Sequence, residues 1–358
     1  MTVLGVAVAS LVVVDGRLGP AEKAVAPAAE REETTTTRRR ARSRPPRTTV
    51  PVTTTVPSIP PMSLGEPTGL RLLGMGDGGS YLIDLDSGAV AFLPSQRQSY
   101  NYNYPVSVGG GFVVADGRAR FVADLISEDP GVVLGPANRA VASNVPNRVW
   151  LLDEARVDAS SAREVDLTTA AVTDEVSLPV AVWVVDAVEG GLLVSGPDGA
   201  YVWDRELGWR RVAHGRPLAG AGDQIVTHEC DETLRCYLAL HELDGGDGRE
   251  LPDSGPQEGA AAFSPDGRYL ATVEHDETVG AGLVDVHDLV RGEVVHYPGS
   301  VGTTSGTVHW SPDSRWLVWM ATGSTAIAYD VTQRTVNQVP VGTLPVAFHD
   351  IEVLGPAG

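Results

Sequence analysis

The sequence predicts an all-β protein: a single seven-bladed β-propeller of four-stranded blades, its ring closed by the C-terminal strand, preceded by a disordered stalk. Three observations predict it. An apolar strand ending in an acidic residue, followed by a polar turn and another short apolar strand, returns about every 41 residues, the period of four-stranded blades. Gly (40) and Pro (25) are plentiful while aromatic residues make up only 6%, which favours many short strands joined by turns. No stretch sustains the 3.6-residue periodicity of a long amphipathic helix.

Residues 2–14 form an apolar run, shorter than the roughly 20 residues that span a bilayer. No basic segment precedes it as in a signal peptide, and charged Asp15, Arg17, Glu22 and Lys23 separate it from the Ala24-Val25-Ala26 pattern. Residues 1–16 are therefore expected to be the distal half of a signal anchor whose start lies upstream of Met1. Residues 17–65 are expected to be a linker, because 34–61 are almost entirely Thr, Pro, Ser and Arg and offer no apolar face to fold around. The cluster Arg38, Arg39, Arg40, Arg42, Arg44 and Arg47 reads first as a solvated charge run, with acidic wall polymer, lipid headgroups or nucleic acid as the other readings.

The propeller is expected over residues 66–358. Its acidic markers are Asp84, Asp124, Asp166, Asp204, Glu242, Asp285 and Asp330, spaced 40, 42, 38, 38, 43 and 45 residues apart. Strand-like runs such as 109–118, 139–154 and 190–199 supply the remaining strands. Before Asp285 and Asp330 the innermost strands are 259–263 and 306–310; the same distance before Asp84 falls in the proline-rich stalk, where no strand can form. Residues 344–354 follow the last blade with nothing left to complete, so they are expected to fill that gap and join 69–94 in one sheet.

Two segments share a motif, FSPDGRYLATV at 263–273 and WSPDSRWLVWM at 310–320. The motif residues Phe263, Ser264, Pro265, Asp266 and Gly267 return as Trp310, Ser311, Pro312 and Asp313, with Ser314 in place of the glycine. Proline pre-sets the turn and glycine tolerates the positive φ that closes it. The pattern resembles the signature of WD-repeat-like propellers of the TolB type, found in bacterial cell envelopes. The resemblance covers 257–340 sharply and implies the fold; it implies function poorly, since such propellers serve as docking platforms, receptors or enzymes.

No catalytic, cofactor or metal motif stands out. The eight histidines form no HExxH, and His228-Glu229 lacks the second histidine. His309 and His349 would take similar positions in adjacent blades, the one place where a metal reading arises. Asp84–Gly88 and Asp244–Gly248 echo calcium loops without the downstream glutamate, and each lies where a hairpin turn is needed. Cys230 and Cys236, the two cysteines, lie between two strand-like runs and are expected to form a disulfide; a metal site would need two further ligands.

Nine of the 27 basic residues and five of the 46 acidic ones fall in 1–65, leaving 18 basic against 41 acidic residues, a net of −23. So acidic a domain repels nucleic acid and anionic lipid. The expectation is a monomeric, non-enzymatic docking module outside the cytoplasmic membrane, touching it only through the N-terminal segment, and otherwise secreted. Its partner would be an envelope protein or cell-wall component. The alternative is an envelope enzyme or small-ligand receptor with its site at the channel mouth.

Overall fold

The computed structural model describes residues 67–355 except 77–78, 94–104, 109, 116, 124–130, 154–159, 180–181, 247, 252–258, 277–280, 297–302, 304–306, 322–324 and 341–347. The expected anchor and stalk, and the marker Asp124, lie outside these residues.

Seven four-stranded antiparallel sheets take up all 28 strands of the described residues. Six sheets are consecutive meanders. The first instead combines Arg71–Gly76, Gly79–Asp84 and Val90–Leu93 with Phe348–Leu354 from the C-terminus. Arg71 pairs with Leu354 and Gly74 with Ile351, so the chain ends close one blade, as expected. In blades two to seven the innermost strands are Val106–Val108, Arg139–Ala142, Trp183–Val188, Arg216–Ala221, Ala261–Phe263 and His309–Trp310. Each touches the next, and the first and last both touch Phe348–Leu354, which closes the ring at seven blades.

Every blade packs both faces against neighbours, so its middle strands are buried on both sides and read as apolar runs. Trp316–Ala321 is buried at every position. One core layer joins Trp316 and Val318 of the seventh blade to Leu72, Ile83, Ile351 and Val353 of the first. Another joins Tyr269 and Val286 of the sixth to Trp310, Leu317 and Trp319 of the seventh. Leu270 lies between the fifth and sixth blades, with Phe263 packed against that layer.

Four of the repeated acids are seen to be turn caps. Asp84 Oδ1 accepts the N–H groups of Asp86 and Ser87, and Asp166, Asp204 and Asp330 accept the equivalent pairs. The residue after each acid donates its N–H to the carbonyl just ahead of the second strand: Leu85 to Leu70, Leu167 to Asn147, Arg205 to Gly190, Val331 to Arg315. Each cap thus ties the turn between the third and fourth strands to the turn between the first two. In the sixth blade the cap is Asp288, not Asp285. The strand Ala281–Asp288 runs three residues further, Asp288 Oδ1 accepts from Val290 and Arg291, and Asp285 pairs with His296 across the sheet.

Candidate functional site

A four-stranded meander sends its first-to-second and third-to-fourth turns to one end, and its second-to-third turns and inter-blade links to the other. The ring therefore has two unlike faces.

The first face is a lattice of tight turns. Ser264 Oγ donates to Asp266 at 2.6 Å and accepts the Tyr269 N–H at 2.9 Å. Ser311 repeats this with Asp313 at 2.5 Å and Trp316 at 2.8 Å. Gly267 has φ +70° and Ser314 φ +61°. Ser314 holds that left-handed conformation while its Oγ accepts the Asp266 N–H at 3.0 Å, joining the two motif turns across blades. Arg268 meets Asp288 at 2.9 Å, and Arg315 grips Asp330, 0% exposed, at 2.8 and 2.7 Å. Burial alone would raise the Asp330 carboxyl; bonds from Thr332, Arg315 and the turn amides hold it below the usual range. Glu164, also buried, is held down against its burial by Ser143, Thr173, Arg148 and the charge of Arg205. These arginine–carboxylate pairs are cement between strands, with every acid already committed.

The second face carries an exposed aromatic ring and a disulfide-tipped hairpin. Trp183 opens the innermost strand of the fourth blade and is 56% exposed. The Arg139 guanidinium, from the start of the third blade's innermost strand, lies 4.7 Å from the Trp183 ring centroid. Its Nη1 also donates to the Val184 carbonyl at 2.7 Å, so ring and cation fix each other. Three residues further along the same strand, past a bulge at Val185 and toward the first-face turn, Asp186 lies against the fifth blade. Its carboxylate accepts the Ala187 N–H at 2.9 Å and the Gly220 N–H at 3.3 Å. Burial pushes this carboxyl up to about 6, because two amides and Arg139 offset the lost water only in part. Asp186 still keeps partial solvent contact. Its two oxygens tie the fourth blade to the fifth through backbone amides.

On the second face, the hairpin of Gln224–Cys230 and Cys236–Glu242 ends in the Cys230–Cys236 disulfide. Leu234 at its tip is 85% exposed. On the other side of the hairpin His241 Nε2 lies 2.9 Å from Glu229 and 3.1 Å from Thr227. Both contacts fall on one ring nitrogen, so no relay of acid, imidazole and hydroxyl forms. On the disulfide's side His228 brings a ring nitrogen to within 4.8 Å of both sulfurs. His309 pairs with Glu352 at 3.5 Å; the side chain of His349 lies outside the described residues, and with it the expected histidine pair. Asp84 and Asp244 cap turns, as their sequences suggested.

Fold and closure define the class: a seven-bladed β-propeller. No family model matches the sequence, and no curated protein matches it. Among solved structures the chain is similar to an acylaminoacyl peptidase in complex with Z-Gly-Gly-Phe-chloromethyl ketone, with a TM-score of 0.52 and 13% identity over 72% of this chain and 47% of that one. It is also similar to apo AztD from Citrobacter koseri (TM-score 0.47, 15% identity, 83% and 89% covered). TolB from Acinetobacter baumannii, of the type the repeat motif resembles, is another (0.45, 12%, 77% and 78%). At such identities the likeness is one of fold, and no residue role is carried across. Among the described residues no helix is long and apolar enough to cross a membrane.

Proposed function

We propose that the chain is a docking module, tethered outside the cytoplasmic membrane by its N-terminal segment, whose macromolecular partner engages the face bearing the inter-blade links. The observation that carries this reading is Trp183. It is a large aromatic ring exposed at the channel mouth and held in one orientation by Arg139. A pre-set ring loses little entropy on binding, and Trp and Arg are the residue types that dominate interface energetics. The net −23 of residues 66–358 favours a partner with a neutral or basic surface. The stalk, 28 residues at 34–61, would reach several nanometres at roughly 3 Å per extended residue.

The partial exposure of Asp186 on the channel wall supports a second reading, a small-ligand receptor within the channel. One experiment separates the two. The full chain and its Trp183→Ala variant are cross-linked in intact envelopes and recovered together with bound protein. Docking predicts loss of one specific partner on Trp183→Ala, by about thirtyfold in affinity for a hot spot of about 2 kcal/mol. A partner held equally by both proteins would overturn the assignment of this face. Binding of a small molecule lost on Asp186→Asn, with no macromolecule recovered, would establish the receptor.

A further inference from the structure

We propose that reduction of the Cys230–Cys236 disulfide uncovers a three-ligand site for a thiophilic cation such as Zn²⁺, formed by His228, Cys230 and Cys236. The proposal stands apart from the docking reading and survives its failure.

The register places the ligands. Cys230 faces Cys236 directly across the hairpin, and His228, two residues before Cys230, shares its side of the sheet. One ligand atom from each of the three lies within 4.8 Å of the others. Tetrahedral coordination at about 2.3 Å to sulfur and about 2.0 Å to nitrogen asks for ligand atoms roughly 3.5–4 Å apart. With the two Cα atoms 4.0 Å apart, freed sulfurs reach that separation by side-chain rotation alone.

The hairpin does not depend on the disulfide to stay closed. Asp231 Oδ1 accepts the N–H groups of Thr233 at 2.8 Å and Arg235 at 3.0 Å, and the Thr233 hydroxyl at 2.6 Å. The Asp231 N–H donates to Arg235 O at 2.9 Å and the Leu234 N–H to Asp231 O at 3.0 Å. Seven paired positions continue below, from Cys230–Cys236 to Gln224–Glu242. Reduction therefore leaves both thiols where they are, poised over His228. The histidine is 8% exposed while Cys230 is exposed, so the fourth coordination position opens to solvent. Three protein ligands with one open position make a site that can load and release an ion.

The chemistry balances. A dithiol reductant gives two electrons and two protons to the S–S bond and leaves as its own disulfide, producing two Cys thiols. Binding M²⁺ then expels both thiol protons to solvent as the two thiolates and the His228 ring nitrogen coordinate. A disulfide donor accepting two electrons from the thiolates re-forms the Cys230–Cys236 bond and sets the ion free. The site is thus loaded when reduced and empty when oxidised.

The test uses the full chain, reduced with a phosphine, desalted without air and titrated with Co²⁺. The expected result is one Co²⁺ per chain, with thiolate charge-transfer bands in the near ultraviolet and tetrahedral bands in the visible, bleached by Zn²⁺. The oxidised chain should show neither. His228→Gln should keep the thiolate bands, shift the visible ones and weaken binding at least tenfold. A second readout needs no variant: Zn²⁺ should slow alkylation of both thiols in the reduced wild type. Co²⁺ binding without thiolate bands, thiols alkylated at the same rate with and without Zn²⁺, or His228→Gln with unchanged bands and affinity would each overturn the site.

Discussion

Replacing Asp186 by Asn should stabilise the protein at neutral pH and destabilise it slightly in acid. The wild-type carboxyl is pushed up to about 6 by burial, against about 3.9 in an unfolded chain. Between those values the folded state binds the extra proton, so wild-type stability falls as pH rises through the window, by about 1.4 kcal/mol per unit. Over roughly two units the loss approaches 3 kcal/mol, and above about pH 6 it is complete. Asn carries no charge to bury, but its amide replaces one of the two oxygens that accept the Ala187 and Gly220 N–H groups. That lost acceptor costs about 1 kcal/mol at every pH. Urea unfolding of both proteins from pH 3.5 to 7.5 isolates the effect. Asp330 and Glu164, whose depressed values make stability fall in acid, contribute equally to both and cancel. The difference should grow in favour of Asp186→Asn from about pH 4 to 6 and then level. A difference constant with pH, or one growing in the opposite direction, would refute the assignment of a carboxyl strained by burial.

Two further outcomes test the scaffold. Deleting residues 341–358 removes Ile351, Val353 and Leu354, each 2% exposed, and with them about 6 kcal/mol of burial at about 2 kcal/mol per side chain. It also bares the inner edge of Arg71–Gly76, so size-exclusion chromatography should show aggregates; a monomer with an unchanged melting curve would contradict the closure. At Ser314, Ala keeps the strained φ of +61° and loses the bond to Asp266, whereas Gly loses the bond and relieves the strain. Ser314→Ala should therefore unfold more easily than Ser314→Gly, by about 1 kcal/mol in denaturant titrations.

The fold was legible because its constraint is local and repeated. An acid that caps a hairpin leaves a trace in five of the described blades, and 41-residue spacing then counts the blades. The trace misled once. Asp285-Val286 and Asp288-Leu289 both show an acid followed by an apolar residue, and position in the period does not separate them. The fourth residue onward does. Gly88, Ala170, Gly208, Gly292 and Arg334 all have positive φ, and each stands four after its cap, which picks Asp288. The channel-mouth group had no such trace. Arg139 and Trp183 are 44 residues apart, on strands of different blades, and meet only because the ring packs those strands side by side. The third ligand at the cysteines was hidden for a related reason: His228 looks like part of a failed HExxH until strand pairing sets it beside the sulfurs.

The two faces differ in how far their polar groups are bonded, and the motif-bearing residues fall on the bonded one. Ser264, Asp266, Ser311, Asp313 and the capping acids all lie at turns whose donors and acceptors are mutually consumed. A group that is fully bonded within its own turn has nothing left to offer a ligand, so repetition there reflects folding. On the opposite face the repeats diverge. The third blade contributes an arginine, the fourth an exposed tryptophan, and the fifth a disulfide-tipped hairpin. Trp183 carries a cost in exposed apolar area. Features that lower stability and that the architecture does not need are best accounted for by what they bind. On the proposed docking reading, recognition falls at the channel mouth that bears Trp183, on a ring whose other face supplies the rigidity.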